Sequence, residues 1–273
     1  MKINLNHVIV IIAGITLVLL SCQKEQSGTV PNGPRPVAIY LTDHATPVFD
    51  SVFIDIQRLE IKVEDDTLSN GGWISLNIRT GVYNILRFRN GLDTLFGTGI
   101  LPNTRLRKIR LGLGQQNSAM LNGQSYPLRV NDNDRQVEVD LDDHQFEITP
   151  DGRIIFWIDF DAGNSIQVDN SGSGNNNGYR LRSHLRIFSR SQTGRIEGKV
   201  FPEAADAIIK AFVGADTATA IPDRDGEFKI VGLSAGNYSI LYDGQNGYRD
   251  TVINNVIVRT GEDTRLQAVT LHQ

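Results

Sequence analysis

The 273 residues carry 27 basic and 31 acidic side chains, which gives a formal net charge of -4 and an isoelectric point near 5.7. Both signs are mixed along the whole chain, so the composition indicates no polyanion partner and argues against nucleic-acid binding. A single cysteine excludes an internal disulfide, so stability must come from packed apolar cores.

The N-terminal residues predict export and lipid attachment. Lys2 supplies a positive charge, and the uncharged residues 8–20 have the length of the apolar region of a signal peptide, which is short for a membrane-spanning helix. Leu19, Leu20, Ser21 and Cys22 then resemble the lipobox of bacterial lipoproteins, in which the cysteine is acylated before the signal peptide is removed. A buried free cysteine is the alternative, but polar residues follow Cys22. The resemblance implies a signal peptide over residues 1–21 and a palmitate-bearing, lipidated Cys22.

The residues after Cys22 indicate a destination. No aspartate follows the cysteine, so the commonest inner-membrane retention signal is absent and an outer-membrane lipoprotein is implied. Gln23, Lys24 and Glu25 resemble the start of a signal that sends some Gram-negative lipoproteins to the cell surface, although Gln26 stands where a second acid is expected. Surface-exposed and periplasm-facing positions both stay open. Residues 22–34 are rich in Gly, Pro, Ser and Asn, which predicts a flexible tether after the lipid.

Residues 35–191 predict a first β-sandwich, because apolar and polar residues alternate with a period of two. Three apolar sets each share one strand face: Ile74, Leu76 and Ile78; Ile109, Leu111 and Leu113; and Val137, Val139 and Leu141. A fourth stretch changes parity, because Val52, Ile54 and Ile56 are even-numbered whereas Leu59, Ile61 and Val63 are odd-numbered. We therefore expect a bulge or bend at Gln57-Arg58 that restores the inward face.

Later segments of this region are less regular. Residues 154–161 alternate Ile154, Phe156, Ile158 and Phe160 with Ile155, Trp157, Asp159 and Asp161, which predicts a central strand covered on both sides at its start. Residues 179–187 predict one strand that carries Arg180, Arg182, His184 and Arg186 on a single face. Residues 169–178 between them predict a polar, mobile loop. Residues 82–95 are the one helix candidate, weakened by Gly91.

Residues 192–273 predict an independent second sandwich. Short alternating segments recur at the spacing of a small all-β domain. The expected strands cover residues 195–201, 207–213, 227–231, 238–242, 251–258 and 265–271. The expected fold class is therefore all-β, with two tandem β-sandwich domains after a lipoprotein signal peptide and a flexible tether.

Three stretches of the second domain carry a family resemblance. "GRIEGKV" (194–200), "PDRDGEFKIVGLSAGNYSILYD" (222–243) and the closing "LQAVTL" resemble the carboxypeptidase regulatory-like family, a transthyretin-like β-sandwich. Gly226 suits a tight hairpin turn after Asp225, because glycine accepts positive φ at little cost. Phe228 and Ile230 then point inward, and Tyr238 packs its ring while its hydroxyl reaches backbone. The resemblance implies a non-catalytic domain for binding or spacing.

The first domain carries a second resemblance. It rests on "VAIYLTDHATPVFDSVFIDIQRLEI" (37–61), "GTGILPNTRLRKIRLGLG" (97–114), "LNGQSYPLRV" (121–130) and "FWIDFDAGNSI" (156–166). These stretches are similar to domain-of-unknown-function family 4382, found in bacterial lipoproteins. The resemblance implies a β-sandwich on an exported lipoprotein, without an established activity.

Few residues predict catalysis. "GRIEGK" (194–199) lacks the spacing of a phosphate-binding loop and has Val200 where Ser or Thr would hold Mg²⁺, so it is predicted to be a strand. The histidines lack metal-ligand spacing, and no GxSxG motif occurs. A hydrolase would need two acids across a cleft, drawn from Asp140, Asp142, Asp143, Asp159 and Asp161. Alternating acids on a strand more often form its solvated face.

Two kinds of binding stay open. Residues 131–134 and 223–228 offer oxygen ligands for calcium, although both also suit turns. Arg180, Arg182, Arg186 and Arg190 either meet an anionic ligand or pair across strands with Asp159 and Asp161.

The sequence thus favours a non-catalytic lipoprotein of the outer membrane or cell surface that binds glycan or a protein partner. The alternatives are a structural spacer or assembly component beside an outer-membrane complex and, as a minor one, a hydrolase. We expect the membrane as a partner through the lipid anchor, with no enzyme activity, cofactor, metal or nucleic acid.

Overall fold

The computed structural model describes residues 33–65, 68, 70–169 and 178–273, and these all fall in one compact unit. The predicted signal peptide, Cys22 and most of the tether lie outside the described residues, as does nearly all of the predicted loop over residues 169–178. The described chain is all-β and forms sandwich-like layers, as the alternation of apolar residues predicts.

The first sandwich contains fifteen strands among the described residues. They are β1 (Arg35–Thr42), β2 (Ser51–Val63), β3 (Trp73–Ser75), β4 (Asn77–Ile78), β5 (Gly81–Asn84), β6 (Thr94–Leu101), β7 (Leu106–Leu113), β8 (Ser118–Leu121), β9 (Gln124–Arg129), β10 (Gln136–Asp140), β11 (Glu147–Ile148), β12 (Ile154–Phe160), β13 (Ile166–Asp169), β14 (Gly178–Leu181) and β15 (Leu185–Phe188). Short 3-10 helices cover Ile85–Phe88 and Asp132–Asp134, and one α-helical turn covers Ala162–Ser165.

Two sheets form the layers of this sandwich. One has the order β11-β12-β1-β6-β4, with β15 added on β12, and the other runs β10-β7-β2-β8-β9-β14-β13, with β3 and β5 added on β2. Within the first sheet β1 and β12 are parallel neighbours, and Thr42 stands opposite Asp159. The carboxyl ends of these two strands therefore meet at one edge, which brings together residues more than a hundred positions apart.

The predicted inward faces build the core. The sets on β2, β7 and β12 are buried, and the register of β2 against β7 shifts between Ile56 and Arg58. This shift confirms the bulge that the change of parity predicts, since two residues on one strand then oppose one on the other and the apolar face turns inward again. Strand β12 is buried along nearly its whole length, which confirms its central position.

The second sandwich has its own core. Its strands are β16 (Gly194–Phe201), β17 (Ile208–Val213), β18 (Asp216–Ala220), β19 (Glu227–Leu233), β20 (Gly236–Asp243), β21 (Thr251–Val258), β22 (Asp263–Arg265) and β23 (Val269–Thr270), with a 3-10 helix at Glu203–Ala205. One sheet has the order β19-β16-β22 with β23 on β16, and the other has the order β18-β17-β20-β21. Phe228, Ile230 and Tyr238 are buried as predicted, and the Tyr238 hydroxyl donates to the backbone oxygen of Ser234 at 2.9 Å.

Several sequence predictions are wrong in detail. Residues 82–95 form no α-helix but the end of β5, a 3-10 turn, a loop and the start of β6. Helical geometry ends after Phe88, because Arg89 is extended with a ψ of 170° and Asn90 and Gly91 take positive φ values of 62° and 74°. The predicted strand over residues 179–187 is two strands, β14 and β15, which lie in different sheets. The turn at Asp225-Gly226 is not a hairpin, because it joins β18 of one sheet to β19 of the other. Strand β18 was not predicted, since its alternation of Thr and Ala is weakly apolar.

Candidate ligand-binding groove

A groove with a volume of about 960 Å³ lies between the two sandwiches. The first sandwich contributes the 3-10 helix Ile85–Phe88 and the turn that follows it, and the second contributes residues of β16, β19 and β22. Ile85 and Leu86 are buried in the first core, so the short helix is anchored and Arg87 is left exposed on the groove side. A volume in this range suits a small molecule or a short oligomer.

Asn90 fixes one side of the joint that forms this groove. Its side-chain Nδ2 donates to the backbone oxygen of Glu227 at 3.1 Å, and its Oδ1 accepts from the backbone N–H of Lys229 at 2.5 Å. The amide thus occupies hydrogen-bonding groups along β19 in the way that a neighbouring strand would. Gly91 lies against the aliphatic part of Lys229, where an added Cβ would come within 2.8 Å of Cδ.

Aromatic stacking fixes the other side of the joint. Trp157 stacks on Tyr40 with ring centroids 5.2 Å apart and on Phe188 at 6.2 Å, and Val231 of β19 joins this apolar cluster. Asp93 accepts hydrogen bonds from Trp157 Nε1 at 2.8 Å and from Arg190 Nη2 at 2.6 Å. Because the contacts are apolar at the centre and hydrogen-bonded at the rim, the walls of the groove are held in a set geometry.

The charges on the two walls differ in how they are compensated. On the second sandwich Lys199 Nζ lies 2.7 Å from Glu227 Oε1, Lys229 Nζ lies 3.0 Å from Glu197 Oε2, and Arg265 also pairs with Glu197. The hydrogen bond and charge of Lys229 hold the pKa of Glu197 below its ordinary value of 4.5. Arg87 and Arg89 on the first sandwich have no carboxylate within 4 Å among the described residues, so their charges are free of ion pairs.

A buried acid cluster lies at the carboxyl ends of β1 and β12. Asp159 is 0% exposed; its Oδ1 accepts the backbone N–H of His44 at 2.9 Å, and its Oδ2 accepts Nε–H of Arg186 at 3.0 Å and bonds with His44 Nδ1. Arg186 Nη2 lies 3.3 Å from each ring nitrogen of His44. Asp43 is 3% exposed; its Oδ1 accepts the N–H of Ala162 at 3.2 Å, while Oδ2 is buried without a hydrogen-bond partner.

Burial and neighbouring charges shift the two carboxyl pKa values in opposite directions. Burial, then the Asp159 charge, raises the pKa of Asp43 well above 3.8, against smaller opposing effects of the Ala162 N–H and Arg89. Burial alone would raise the pKa of Asp159, but the charge and hydrogen bonds of His44, together with Arg186, outweigh it and lower that pKa below 3.8. Burial thus shifts the Asp43 equilibrium toward the protonated form, whereas His44 and Arg186 shift that of Asp159 toward the ionised form.

This cluster has the geometry of a structural clamp. Its central carboxylate is closed to solvent and both of its oxygens are used, so a substrate atom has no access to it. Asp161, which the sequence groups with Asp159, instead caps the helical turn by accepting the N–H of Asn164 at 3.0 Å. The expectation that alternating acids here form a solvated face is wrong for Asp159.

The remaining predicted site residues are dispersed. Arg186 pairs across strands with Asp159, as expected, but Arg180 lies in the other sheet and Arg190 pairs with Asp93, so the arginines share no face. The acids on and after β10 are exposed, and Lys108 and Arg105 pair with Asp140 and Asp143. Residues 131–134 and 223–228 are turns closed by their own hydrogen bonds, and no group of three metal-ligating side chains occurs in the part of the chain that the structure describes.

Sequence reasoning missed Asp43, His44, Arg87, Arg89 and Asn90. A signal was available for Asp43 and His44. They belong to the polar run "TDH" at the end of the buried strand β1, and polar side chains are common at strand ends. The arginines lie in the segment that we predict as a helix candidate, so their orientation was not predictable. A shallower depression of about 460 Å³ lies elsewhere on the first sandwich and is lined by polar residues that include Gln115, Gln116, Ser118 and Ser125.

The fold and the groove define an all-β sandwich protein with a polar cleft at the joint of its two halves. The chain belongs to the family described as Domain of unknown function (DUF4382), whose model matches residues 36–183, more than half of the sequence. No curated protein matches the chain. No helix among the described residues is long and apolar enough to cross a bilayer.

Solved structures give distant similarities. A chain of a type II Cohesin-X-Dockerin complex from Acetivibrio cellulolyticus is 23% identical, with 29% of this chain and 56% of that chain covered and a TM-score of 0.24. The minor pilin GBS52 of Streptococcus agalactiae is 11% identical over 88% of this chain and 97% of its own, with a TM-score of 0.22. A fimbrial protein from Bacteroides ovatus is 10% identical over 89% of this chain and 51% of its own, with a TM-score of 0.25. The protein thus spans about half the length of the first and third of these chains.

Proposed function

We propose that this protein is a lipid-anchored, non-catalytic binding protein of the bacterial outer membrane that holds a glycan in the groove between its two sandwiches. The single observation that supports the proposal is the groove itself, which opens at a joint fixed by Asn90 and by the Tyr40–Trp157–Phe188 stack. A fixed cleft lowers the ordering cost of binding, because its walls need not rearrange around a ligand.

The lining of the groove suits sugars. Polar and apolar side chains both line its walls: the first sandwich contributes Asn84 and the exposed Leu92, and the second contributes Arg265 and Leu266. Sugar rings present hydroxyl groups at their edges and C–H groups on their faces, so a wall of mixed character satisfies both. The buried acid cluster near Asp159 supports a binding role over catalysis, since its carboxylate is fully paired.

The sequence supports the proposed membrane location and the proposed type of second domain. The resemblance of residues 19–22 to a lipobox supports a lipid on Cys22, and two or three acyl chains would anchor the protein stably. The resemblance of residues 193–273 to the carboxypeptidase regulatory-like family fits a domain that binds or spaces. Both features fit display on a membrane, facing either the periplasm or the cell surface.

A glycan array followed by calorimetry on the full chain in detergent micelles tests the proposal. Leu92 is 61% exposed in the groove, so Leu92→Trp should fill part of the cleft and weaken binding about tenfold, the effect of losing one to two kcal/mol of contact. Leu95 is 54% exposed and does not line the groove, so Leu95→Trp serves as the matched control. A blank array, or binding that Leu92→Trp leaves unchanged, would overturn the proposal.

A spacer role is the second candidate, and the rigidity of the joint favours it. Apolar stacking and paired hydrogen bonds would hold two sandwiches at a set distance from the membrane, as an assembly component requires. In-cell cross-linking of the intact lipoprotein would recover a stable outer-membrane neighbour under this candidate. Recovery of the protein alone would argue against it.

A further inference from the structure

The groove has an excess of unpaired positive charge on one wall. Arg87 follows two buried residues of a 3-10 helix and points away from the core, and Arg89 comes two residues later in the same segment. Neither guanidinium has a carboxylate within 4 Å in the described ranges. Asp43, the carboxyl on which the charge of Arg89 acts, is 3% exposed and forms no ion pair with Arg89 within 4 Å.

The carboxylates that line the groove already have ion-pair or hydrogen-bond partners within the protein. Glu197 and Glu227 pair with cations of the second sandwich. Asp223 Oδ1 accepts the backbone N–H groups of Asp225 and Glu227 at 3.0 and 2.9 Å, and Asp50 Oδ2 accepts the N–H of Gly123 at 2.9 Å. These bonds orient both carboxylates toward local backbone. Among the described residues, Arg87 and Arg89 are therefore the positively charged groups of the groove that form no ion pair within 4 Å, although the charge of Arg89 acts on the buried Asp43.

Guanidinium groups prefer oxyanions as partners. Each presents planar, forked N–H donors that match a carboxylate in bidentate geometry, and such charge-assisted hydrogen bonds are stronger than neutral ones. The net charge of -4 does not oppose this preference, because charges more than about 8 Å away are largely screened at physiological ionic strength.

The hydrogen bonds that β19 already forms favour a sugar over an extended peptide as the ligand of the groove. An extended peptide gains most of its affinity by adding a strand to a free sheet edge. In this groove the Asn90 side chain already bonds with Glu227 O and Lys229 N on β19. A chain that binds through side groups and ring hydroxyls, as an oligosaccharide does, needs no strand edge.

We propose that the groove binds an acidic oligosaccharide, with Arg87 and Arg89 holding its carboxylate groups. This inference rests on the proposed glycan-binding function and narrows its ligand class. The probe is tetragalacturonate, and its methyl ester keeps the same sugars without their charge. Tetraglutamate serves as an acidic peptide of similar charge.

Calorimetry on the full chain in detergent micelles compares these probes. We expect tetragalacturonate to bind at least tenfold more tightly than its methyl ester or than tetraglutamate. Added salt should weaken the binding of tetragalacturonate and leave the binding of its ester unchanged. Arg87→Gln with Arg89→Gln should weaken tetragalacturonate binding at least tenfold and leave the ester unchanged. Arg79→Gln with Arg182→Gln is the matched control, because both arginines are exposed and lie outside the groove.

The outcomes separate the two proposals. Equal binding of the acid and its ester, or no effect of the Arg87/Arg89 pair, would overturn the acidic ligand class while sugar binding in the groove stands. Tighter binding of tetraglutamate would overturn it in favour of a protein partner. Failure of every sugar in the panel, acidic and neutral, would overturn the glycan-binding function itself.

Discussion

At the residue scale, the buried carboxylate of Asp159 is the centre of a cluster of ionisable side chains in the first sandwich. A fully buried carboxylate survives only when its charge is compensated, and His44 and Arg186 supply that compensation. His44 follows β1 and Arg186 lies on β15, and both strands pair with β12, which carries Asp159. Strands β1 and β12 are neighbours in the sheet and far apart in sequence. The cluster therefore ties the two ends of the first sandwich's sequence to each other.

Removing the Asp159 charge should destabilise the fold. Asp159→Asn keeps the shape but leaves His44 and Arg186 facing a neutral amide, so we expect a loss of about 3 kcal/mol of unfolding free energy, at the lower end for a broken buried pair because Arg186 is partly exposed. Asp140, whose side chain is 84% exposed beside Lys108, provides the control Asp140→Asn, expected to change stability by less than about 0.5 kcal/mol. Denaturant unfolding measures both, and equal effects would contradict the clamp.

Asp43 should make stability depend on pH in the opposite sense from Asp159. Its folded pKa is raised above 3.8, so the stability it contributes is fully present below that value and is lost as pH rises toward the raised folded pKa. Asp159 has a lowered folded pKa, so its contribution is present above 3.8 and is lost as pH falls through the lowered value.

The variant Asp43→Asn isolates the first of these effects, because an amide releases no proton. Relative to their difference at about pH 3, we expect the unfolding free energy of Asp43→Asn to rise above that of the unmodified protein as pH increases. The Asp159 contribution is common to both proteins and cancels in the difference. Denaturant unfolding across this pH range gives the comparison, and a difference that stays constant with pH would show that Asp43 ionises normally in the fold.

Some of these residues were predictable and others were not. Pairing of Arg186 with the Asp159 strand follows from alternation, because opposite charges on neighbouring strands face each other. The polar run at the end of β1 marks Asp43 and His44 as strand-end residues, but their pairing with Asp159 was not predictable, since a parallel pairing across more than a hundred residues leaves no local pattern. Cys22 is the one site residue that the sequence names, and it lies outside the described residues.

At the scale of elements, a single loop forms one side of the joint between the sandwiches, opposite the aromatic stack. The segment after the 3-10 helix Ile85–Phe88 is held to the end of β1, where the single Thr42 hydroxyl has two backbone oxygens within hydrogen-bond distance, that of Leu92 at 2.8 Å and that of Phe88 at 3.1 Å. From this anchored position Asn90 reaches β19. The loop thus links the first core, the groove and the second sandwich.

Loss of the Asn90 side chain should loosen the joint. Asn90 has a positive φ of 62°, so Asn90→Gly removes both hydrogen bonds without backbone strain, and we expect a loss of about 1–3 kcal/mol together with faster proteolysis near residues 189–193. Asn122 has a φ of 51° in a turn away from the joint, so Asn122→Gly is the matched control. Thermal unfolding and limited proteolysis that treat the two variants alike would contradict the bridging role of Asn90.

Elements with strong alternation were predictable, and those governed by tertiary pairing were not. The bulge in β2 follows from a change of parity, because a side-chain period of two leaves no other way to keep both halves buried. The split between β14 and β15 has no such signal, since alternation continues across residues 179–187 while the chain passes from one sheet to the other. The joint itself involves polar residues without periodicity.

At the scale of the whole molecule, the proposed function combines a lipid anchor on Cys22 with ligand binding in the groove. Cys22→Ala should abolish lipid labelling and release or mislocalise the protein, because the substitution removes the thiol that the lipobox resemblance predicts to be acylated. Metabolic labelling with a palmitate analogue and cell fractionation measure this, with Ser21→Ala as a control that keeps a small residue before the cysteine. Unchanged labelling of Cys22→Ala would show that the lipobox resemblance is misleading.

Ligand binding in the groove is the central claim, and hydrogen exchange of the full chain in detergent micelles tests it most directly. With tetragalacturonate bound, we predict slower amide exchange in residues 85–92 of the first sandwich and in residues 197–199 and 227–229 of the second, because these segments line the cleft. Exchange near Gln115 and Ser125, in the separate depression, should stay unchanged. Protection confined to that depression, or no protection at a saturating sugar concentration, would contradict the account.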